Sequence, residues 1–172
     1  MDVTYSELST EDAEALIKLR LSVMETNPCS FSVTKQEEIK TGKEIIRQVI
    51  HNYELSNERI IIGAWEQGLI GVVGVERYSG EIEKHKVRLW GPYVEKSSRE
   101  QGIGEPLVKK AMDYAFGIEG VEIITLETGS ESRRAISIFD KQGFVKTGTQ
   151  INALKFDDKY IDLIYMQRQK ST

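Results

Sequence analysis

Leu89-Trp90-Gly91-Pro92-Tyr93-Val94, followed shortly by Arg99-Glu100-Gln101-Gly102-Ile103-Gly104, is the stretch from which the rest of the chain can be placed. The first run is apolar and aromatic enough for a strand. Gly91-Pro92 should interrupt its pairing, because proline has no N–H to donate and glycine marks bulges. A bulged strand over residues 84–94 is therefore expected. In the second run two glycines stand one residue apart, with Pro106 just beyond. Proline is tolerated in the first turn of a helix and breaks the ladder further in, so a helix should begin near Gly102 to Gly104. Leu107, Val108, Ala111, Met112 and Ala115 then recur at helical spacing up to Gly117.

A strand, a glycine turn and a helix start make a natural anion site. The first N–H groups of a helix have no intrahelical partner and carry the positive end of its dipole. Gly102 and Gly104 let a phosphate approach the main chain with no Cβ in the way, and Arg99 can add a charge-assisted contact. Taken alone, two glycines and a proline also make an ordinary turn, so the surrounding chain must decide. The dinucleotide fingerprint needs a third glycine where this chain has Leu107, and no phosphate-loop Gly-Lys-Ser/Thr is present. NAD and nucleoside triphosphates are weakened as ligands.

Working outward, residues 4–8 suit a short strand, and Ser9-Thr10-Glu11-Asp12 supplies caps and first-turn acids for a helix carrying Leu16, Leu19 and Met24. Asn27-Pro28 stops that helix. Thr34 and Glu37 then form a capping box for a second one through Ile45, Ile46, Val49 and Ile50. Residues 59–65 and 69–78 are rich in Ile and Val, and Gln67-Gly68 between them suits a hairpin. Beyond Gly117 come a strand at 123–128, a short helix at 135–142 ended by Gly143, and a final hairpin of 144–153 with 160–166 about Asp157-Asp158. This order predicts a mixed sheet packed between helices, of the α/β or α+β class.

At 172 residues the chain suits a single domain over its full length. Its 40% hydrophobic and 29% charged content is that of a globular protein rather than a disordered one, and no apolar run approaches membrane-spanning length. The first residues lack the basic and then apolar pattern of a secretory signal, and the single cysteine, Cys29, excludes an internal disulfide. A cytoplasmic location follows by default. A net charge of -4 argues against nucleic acid as the main partner, and no zinc-type ligand spacing exists, so no metal is expected.

With these pieces in order, the chain resembles the GNAT superfamily of N-acetyltransferases. Arg99, Gly102 and Gly104 match its phosphate motif, residues 89–94 resemble its bulged strand, and residues 135–144 resemble its second motif. The resemblance implies a central, mostly antiparallel sheet with a splayed parallel strand pair, flanked by helices. It also implies acetyl-CoA as cosubstrate and transfer of the acetyl group to the primary amine of a small molecule or peptide. Tyr93 and Val94 would pair through their main chain with pantetheine, and a bulge N–H there would stabilise the oxyanion formed on attack. Arg99, Glu100, Gln101, Gly102, Ile103, Gly104 and Glu105 would receive the pyrophosphate. Residues 28–38 resemble an acceptor-side loop, and a homodimer is compatible with the family.

Two positions depart from the family pattern. Ser132 stands where many members have Asn, and Phe139 stands where many have the tyrosine that protonates the leaving thiolate. Both remain cofactor-side residues by position. Tyr165 is a substitute acid, with core packing as its ordinary role, and the alternating strand puts Asp162 on the opposite face. Glu76, beside the bulged strand, is a candidate base or else a solvated carboxylate. His85 in a charged run and Cys29 without a partnered histidine read as a surface residue and a loop thiol. A noncatalytic acyl-CoA-binding module is the alternative to an enzyme.

Overall fold

The computed structural model describes residues 2–28 and 31–171. Strand β1 is Thr4–Glu7, and after it Ser9 donates through its main-chain N–H and hydroxyl to the Asp12 carboxylate, at 2.8 and 3.0 Å. That cap starts a 3-10 turn that runs into α1, Ala13–Thr26. Helix α2, Lys35–Glu54, begins at the expected capping box: the Glu37 N–H donates to the Thr34 hydroxyl at 3.2 Å, and the Thr34 N–H donates to the Glu37 carboxylate at 2.7 Å. One feature of α2 departs from its helical pattern. Gly42 sits at φ 71°, ψ 169° and breaks the helix into two pieces, a conformation open to glycine because it has no Cβ.

The remaining elements are β2 (Arg59–Trp65), β3 (Leu69–Arg77), β4 (Lys86–Val94), α3 (Gly104–Gly117), β5 (Ile123–Gly129), α4 (Arg133–Lys141), β6 (Val145–Phe156) and β7 (Lys159–Gln169). Helix α4 starts earlier than the apolar pattern indicates, and β6 and β7 run longer because their hairpin ladder continues past the apolar positions into exposed residues. The seven strands form one sheet in the order β1-β2-β3-β4-β5-β7-β6. All neighbours are antiparallel except β4 and β5.

Alternation along the strands builds two cores, one on each face. Val73, Val75, Val87, Leu89, Ile124 and Leu126 pack with Leu107, Ala111 and Phe139 of α3 and α4. Ile61 and Val72 pack with Leu16, Leu19 and Val23 of α1 and with Ile50 and Tyr53 of α2. The helices thus cover both sides of the sheet, as the element order predicts.

Two irregularities shape what lies between the helices. Along β4, Trp90 faces Gly74 and Tyr93 faces Val72, so Gly91 and Pro92 together oppose Val73. Gly91 takes φ 56°, and this is the bulge that Gly91-Pro92 predicts. The second irregularity is the parallel pair, in which Lys86, Val87 and Arg88 match Ile123, Ile124 and Thr125 and no later residues pair. Beyond Arg88 the two strands part and the sheet opens into a cleft.

Candidate active site

Two cavities flank the bulge. The larger, of about 670 Å³, lies between the ends of α1 and β4, the start of α3 and the length of α4. The smaller, of about 360 Å³, lies among α1, the α1–α2 loop, β4, β5 and the β6–β7 hairpin. Pro92, Tyr93, Ser132 and Ala135 belong to the walls of both, so the cavities meet at the bulge.

The first cavity has the features of an anion cradle. Glu100 and Gly102 both take positive φ, 67° and 77°, which swings the main chain round so that α3 starts at Gly104 facing the cavity. A Cβ on Gly102 would meet nothing within 4 Å, so its requirement is conformational, whereas one on Gly104 would lie 3.1 Å from Ile138 Cδ1 of α4. Tyr93, Val94, Arg99, Glu100, Gly102, Ile103, Gly104, Glu105, Ser132 and Phe139 all line this cavity. Gln101 is not in its lining; its side-chain amide donates to the Ser97 carbonyl at 3.2 Å.

Arg99 is placed differently from a freely extended phosphate ligand. Its Nε donates to the Val94 carbonyl at 2.9 Å and its Nη1 to Asn27 Oδ1 at 3.2 Å, tying the end of β4 to the end of α1. Burial, followed by the nearby Arg134 guanidinium, lowers its pKa from the ordinary value. Two cations absent from the sequence reading stand beside it. Arg133 and Arg134 begin α4 and line the cavity, with Arg134 paired to the Glu100 carboxylate. Cations in a first turn oppose the helix dipole, and α4 has no acid there. That mismatch was the available signal for a nearby anion.

The second cavity has an aromatic wall. Phe31 and Tyr93 stack with ring centroids 4.4 Å apart, and burial pushes the Tyr93 hydroxyl up to about 12. Trp90 joins them, held by its indole N–H donating to the Tyr53 hydroxyl at 3.0 Å. Arg20, Arg88 and Glu127 also line the space. On β5, Ile124 and Leu126 point into the α3 core, so Thr125 and Glu127 project to the other face, the one that carries Arg88 and Trp90 on β4. Thr125 is the last residue paired with β4, opposite Arg88. Glu127 is therefore the first carboxylate past the point where the strands part, and it has no ion pair among the described residues.

Glu76 and Tyr165 line neither cavity. The Glu76 carboxylate accepts from the Tyr53 hydroxyl at 3.3 Å and lies between Arg59 and Arg88 at 3.7 and 3.8 Å, a structural arrangement some distance down β3 from the bulge. The Tyr165 hydroxyl donates to Gln150 at 2.8 Å on the neighbouring strand β6. Each is nevertheless the register partner of a residue in the wall of the second cavity, Glu76 of Arg88 and Tyr165 of Glu127. Cys29 lies outside the described residues.

A sheet parted beside a bulged strand, with a glycine-started helix at one mouth, can be set beside known proteins. The family model described as Acetyltransferase (GNAT) family matches residues 22–144. The chain belongs to that family, whose cosubstrate is acetyl-CoA. The spermidine N(1)-acetyltransferase of Vibrio cholerae is 23% identical over 66% of this chain and 64% of its own length. Human N-acetyltransferase 8 is 27% identical over 48% of this chain and 37% of its own length, so the matches span less than two thirds of either relative. Among solved structures, a GNAT acetyltransferase from Streptococcus pneumoniae superposes with a TM-score of 0.88 at 21% identity, covering 98% of this chain and all (100%) of that one. The yncA protein of Salmonella typhimurium, solved with its cofactor acetyl-CoA, gives 0.84 at 16% identity over 98% and 94%. Among the described residues no helix is long and apolar enough to cross a membrane.

Proposed function

We propose that this chain transfers the acetyl group of acetyl-CoA to a primary amine of a small molecule or peptide by direct attack, with no covalent enzyme intermediate. The observation that carries this is the meeting of two cavities at the β4 bulge, one suited to a phosphate-bearing cosubstrate and the other to an acceptor. Acetyl-CoA, when bound, supplies an activated acyl group on a sulfur that departs readily, since a thiol of ordinary pKa near 8.5 leaves as a tolerable thiolate.

The fit rests on residues of this chain. Main-chain groups of Tyr93 and Val94, on the unpaired edge of β4 past Arg88, hold pantetheine as a neighbouring strand would. The N–H groups of Glu100 and of Gly102 to Glu105 receive the pyrophosphate, Gln101 between them supports the turn, and Arg133 and Arg134 add positive charge. Arg99 contributes by fixing the end of β4, and Ser132 and Phe139 wall the site. A main-chain N–H at the bulge donates where negative charge develops on the acyl oxygen. Glu127 holds the incoming ammonium and takes its proton, directly or through water. The amine nitrogen bonds to the acyl carbon to give the oxyanion, whose collapse breaks the carbon–sulfur bond with the electron pair leaving on sulfur, and the second proton shed by nitrogen passes through water to the departing thiolate or to solvent. Positioning supplies much of the rate.

Thiol release from acetyl-CoA across a panel of amines, with calorimetry of acetyl-CoA binding alongside, tests this. Amine-dependent release is expected. Saturable binding without release for any amine would make the chain an acyl-CoA-binding module instead.

A further inference from the structure

The charges around the second cavity narrow the acceptor, provided the acyl-transfer proposal holds. We propose that the acceptor is a zwitterion with an apolar body, an amine whose carboxylate is read by Arg88 and Arg20 while Glu127 holds its ammonium group. The apolar body follows from the wall, where Phe31 stacks on Tyr93 beside Trp90 and the β6–β7 hairpin adds Leu154 and Leu163.

The charges supply the two ends. Arg20 gives Nε and Nη2 to buried Glu38, which is 4% exposed, at 2.5 and 2.9 Å. That pairing holds the guanidinium over the Phe31 ring, 5.2 Å from its centroid, and leaves Nη1 uncommitted among the described residues. The nearest carboxylate to Arg88 is Glu76 at 3.8 Å, and Glu76 is shared with Arg59 at 3.7 Å. One carboxylate between two guanidiniums leaves positive charge over, and the planar fork of arginine matches a carboxylate. Glu127 lies on the same face of the sheet as Arg88, two residues beyond its partner Thr125. At the usual strand rise this is about 7 Å along the sheet, a separation that the adjacent ionised groups of one amino acid bridge with a hydrogen bond on each side.

A polyamine would bring several positive charges against two guanidiniums and one carboxylate, and like-charge juxtaposition is an effective means of rejection. A simple amine would enter but leave the guanidiniums with no anion.

Calorimetry on the protein loaded with CoA, which cannot turn over, reads acceptor binding directly. The probes are phenylalanine against phenethylamine, leucine against isoamylamine, and spermidine. The carboxylated member of a pair should bind about tenfold to a hundredfold tighter, as loss of a charged hydrogen bond implies. Arg88→Gln should cut that preference about tenfold, with Arg20 keeping the remainder, and should not weaken the simple amine; Arg88→Lys should recover part of the preference. Arg88 is 46% exposed and tolerates substitution, whereas a change at Arg20 would strand buried Glu38. Tighter binding of spermidine or of the simple amines, equal loss for both members in Arg88→Gln, or no binding of any probe would overturn the proposal. If phenylalanine or leucine binds as expected but no amine of the panel gives thiol release with acetyl-CoA, the acyl-transfer proposal fails and the ligand assignment stands.

Discussion

Replacing Gly74 by alanine should disturb the acceptor wall without touching any ligand. A Cβ built on Gly74 would lie 2.0, 2.3 and 2.4 Å from Cε2, Cζ2 and Nε1 of Trp90, far inside contact distance. The indole cannot yield cheaply, since its N–H donates to the Tyr53 hydroxyl and its ring meets Tyr53 edge-on at 5.9 Å. Overpacking typically costs about 1–3 kcal/mol, and the hydrogen bond adds about 1 kcal/mol if it breaks, for a total of roughly 2–4 kcal/mol. In a domain of this size that lowers Tm by about 4–16 °C. Thermal unfolding followed by circular dichroism reads it, in the wild-type background and again with Trp90→Leu. In the leucine background Gly74→Ala should cost under about 1 kcal/mol, because the clashing atoms are gone. A Tm unchanged by Gly74→Ala, or an equal loss in both backgrounds, would refute the assignment of Gly74 to the space that Trp90 fills.

Gly104→Val adds methyl groups where Ile138 Cδ1 already lies 3.1 Å from a built Cβ, so acetyl-CoA affinity should fall; unchanged affinity by calorimetry on the folded variant would remove the cofactor site from this helix start. Phe139 is 1% exposed and packs edge-on to Phe144 at 5.8 Å, so Phe139→Tyr places a hydroxyl on the cavity wall. Turnover should change by less than about tenfold, because the thiolate needs no strong acid; a silent wild type made active by this change would mark the chain as a binder. Tyr53 and Tyr93 are both pushed up to about 12, chiefly by burial. The folded state then holds these protons more tightly than the unfolded one, so the stability they add is complete below pH 10.0 and is lost as pH rises through about 12. Denaturant midpoints measured across that range should fall less steeply in Tyr53→Phe than in wild type.

What could be read from the sequence was local. Gly91-Pro92 signals a bulge because proline has no N–H to donate and glycine readily takes the positive φ of a bulge, and the pairs Ser9–Asp12 and Thr34–Glu37 announce helix starts because the partners lie one turn apart. What escaped depends on distant partners. Glu127 looks like any strand carboxylate until the register shows where β4 and β5 part. Arg99 reads only as a phosphate ligand until α1 brings Asn27 beside it and gives it a second task, tying α1 to β4. Tyr165 looks available until β6 offers Gln150. Gly42 gave no warning because a glycine inside a helix costs only about 1 kcal/mol and is often tolerated.

The three-residue join between β4 and β5 also bears on how the molecule assembles. Residues 66–68 and 157–158 close hairpins over short loops, which cost little entropy, and the strands on either side of the join satisfy their bonds within their own half. The join itself must wait for the α3 crossover and gains few pairs in return. We expect this seam to be the last part of the sheet to close and the first to fray. A ligand lodged between the halves would act as a staple across it, adding stability in proportion to RT ln(1 + [L]/Kd).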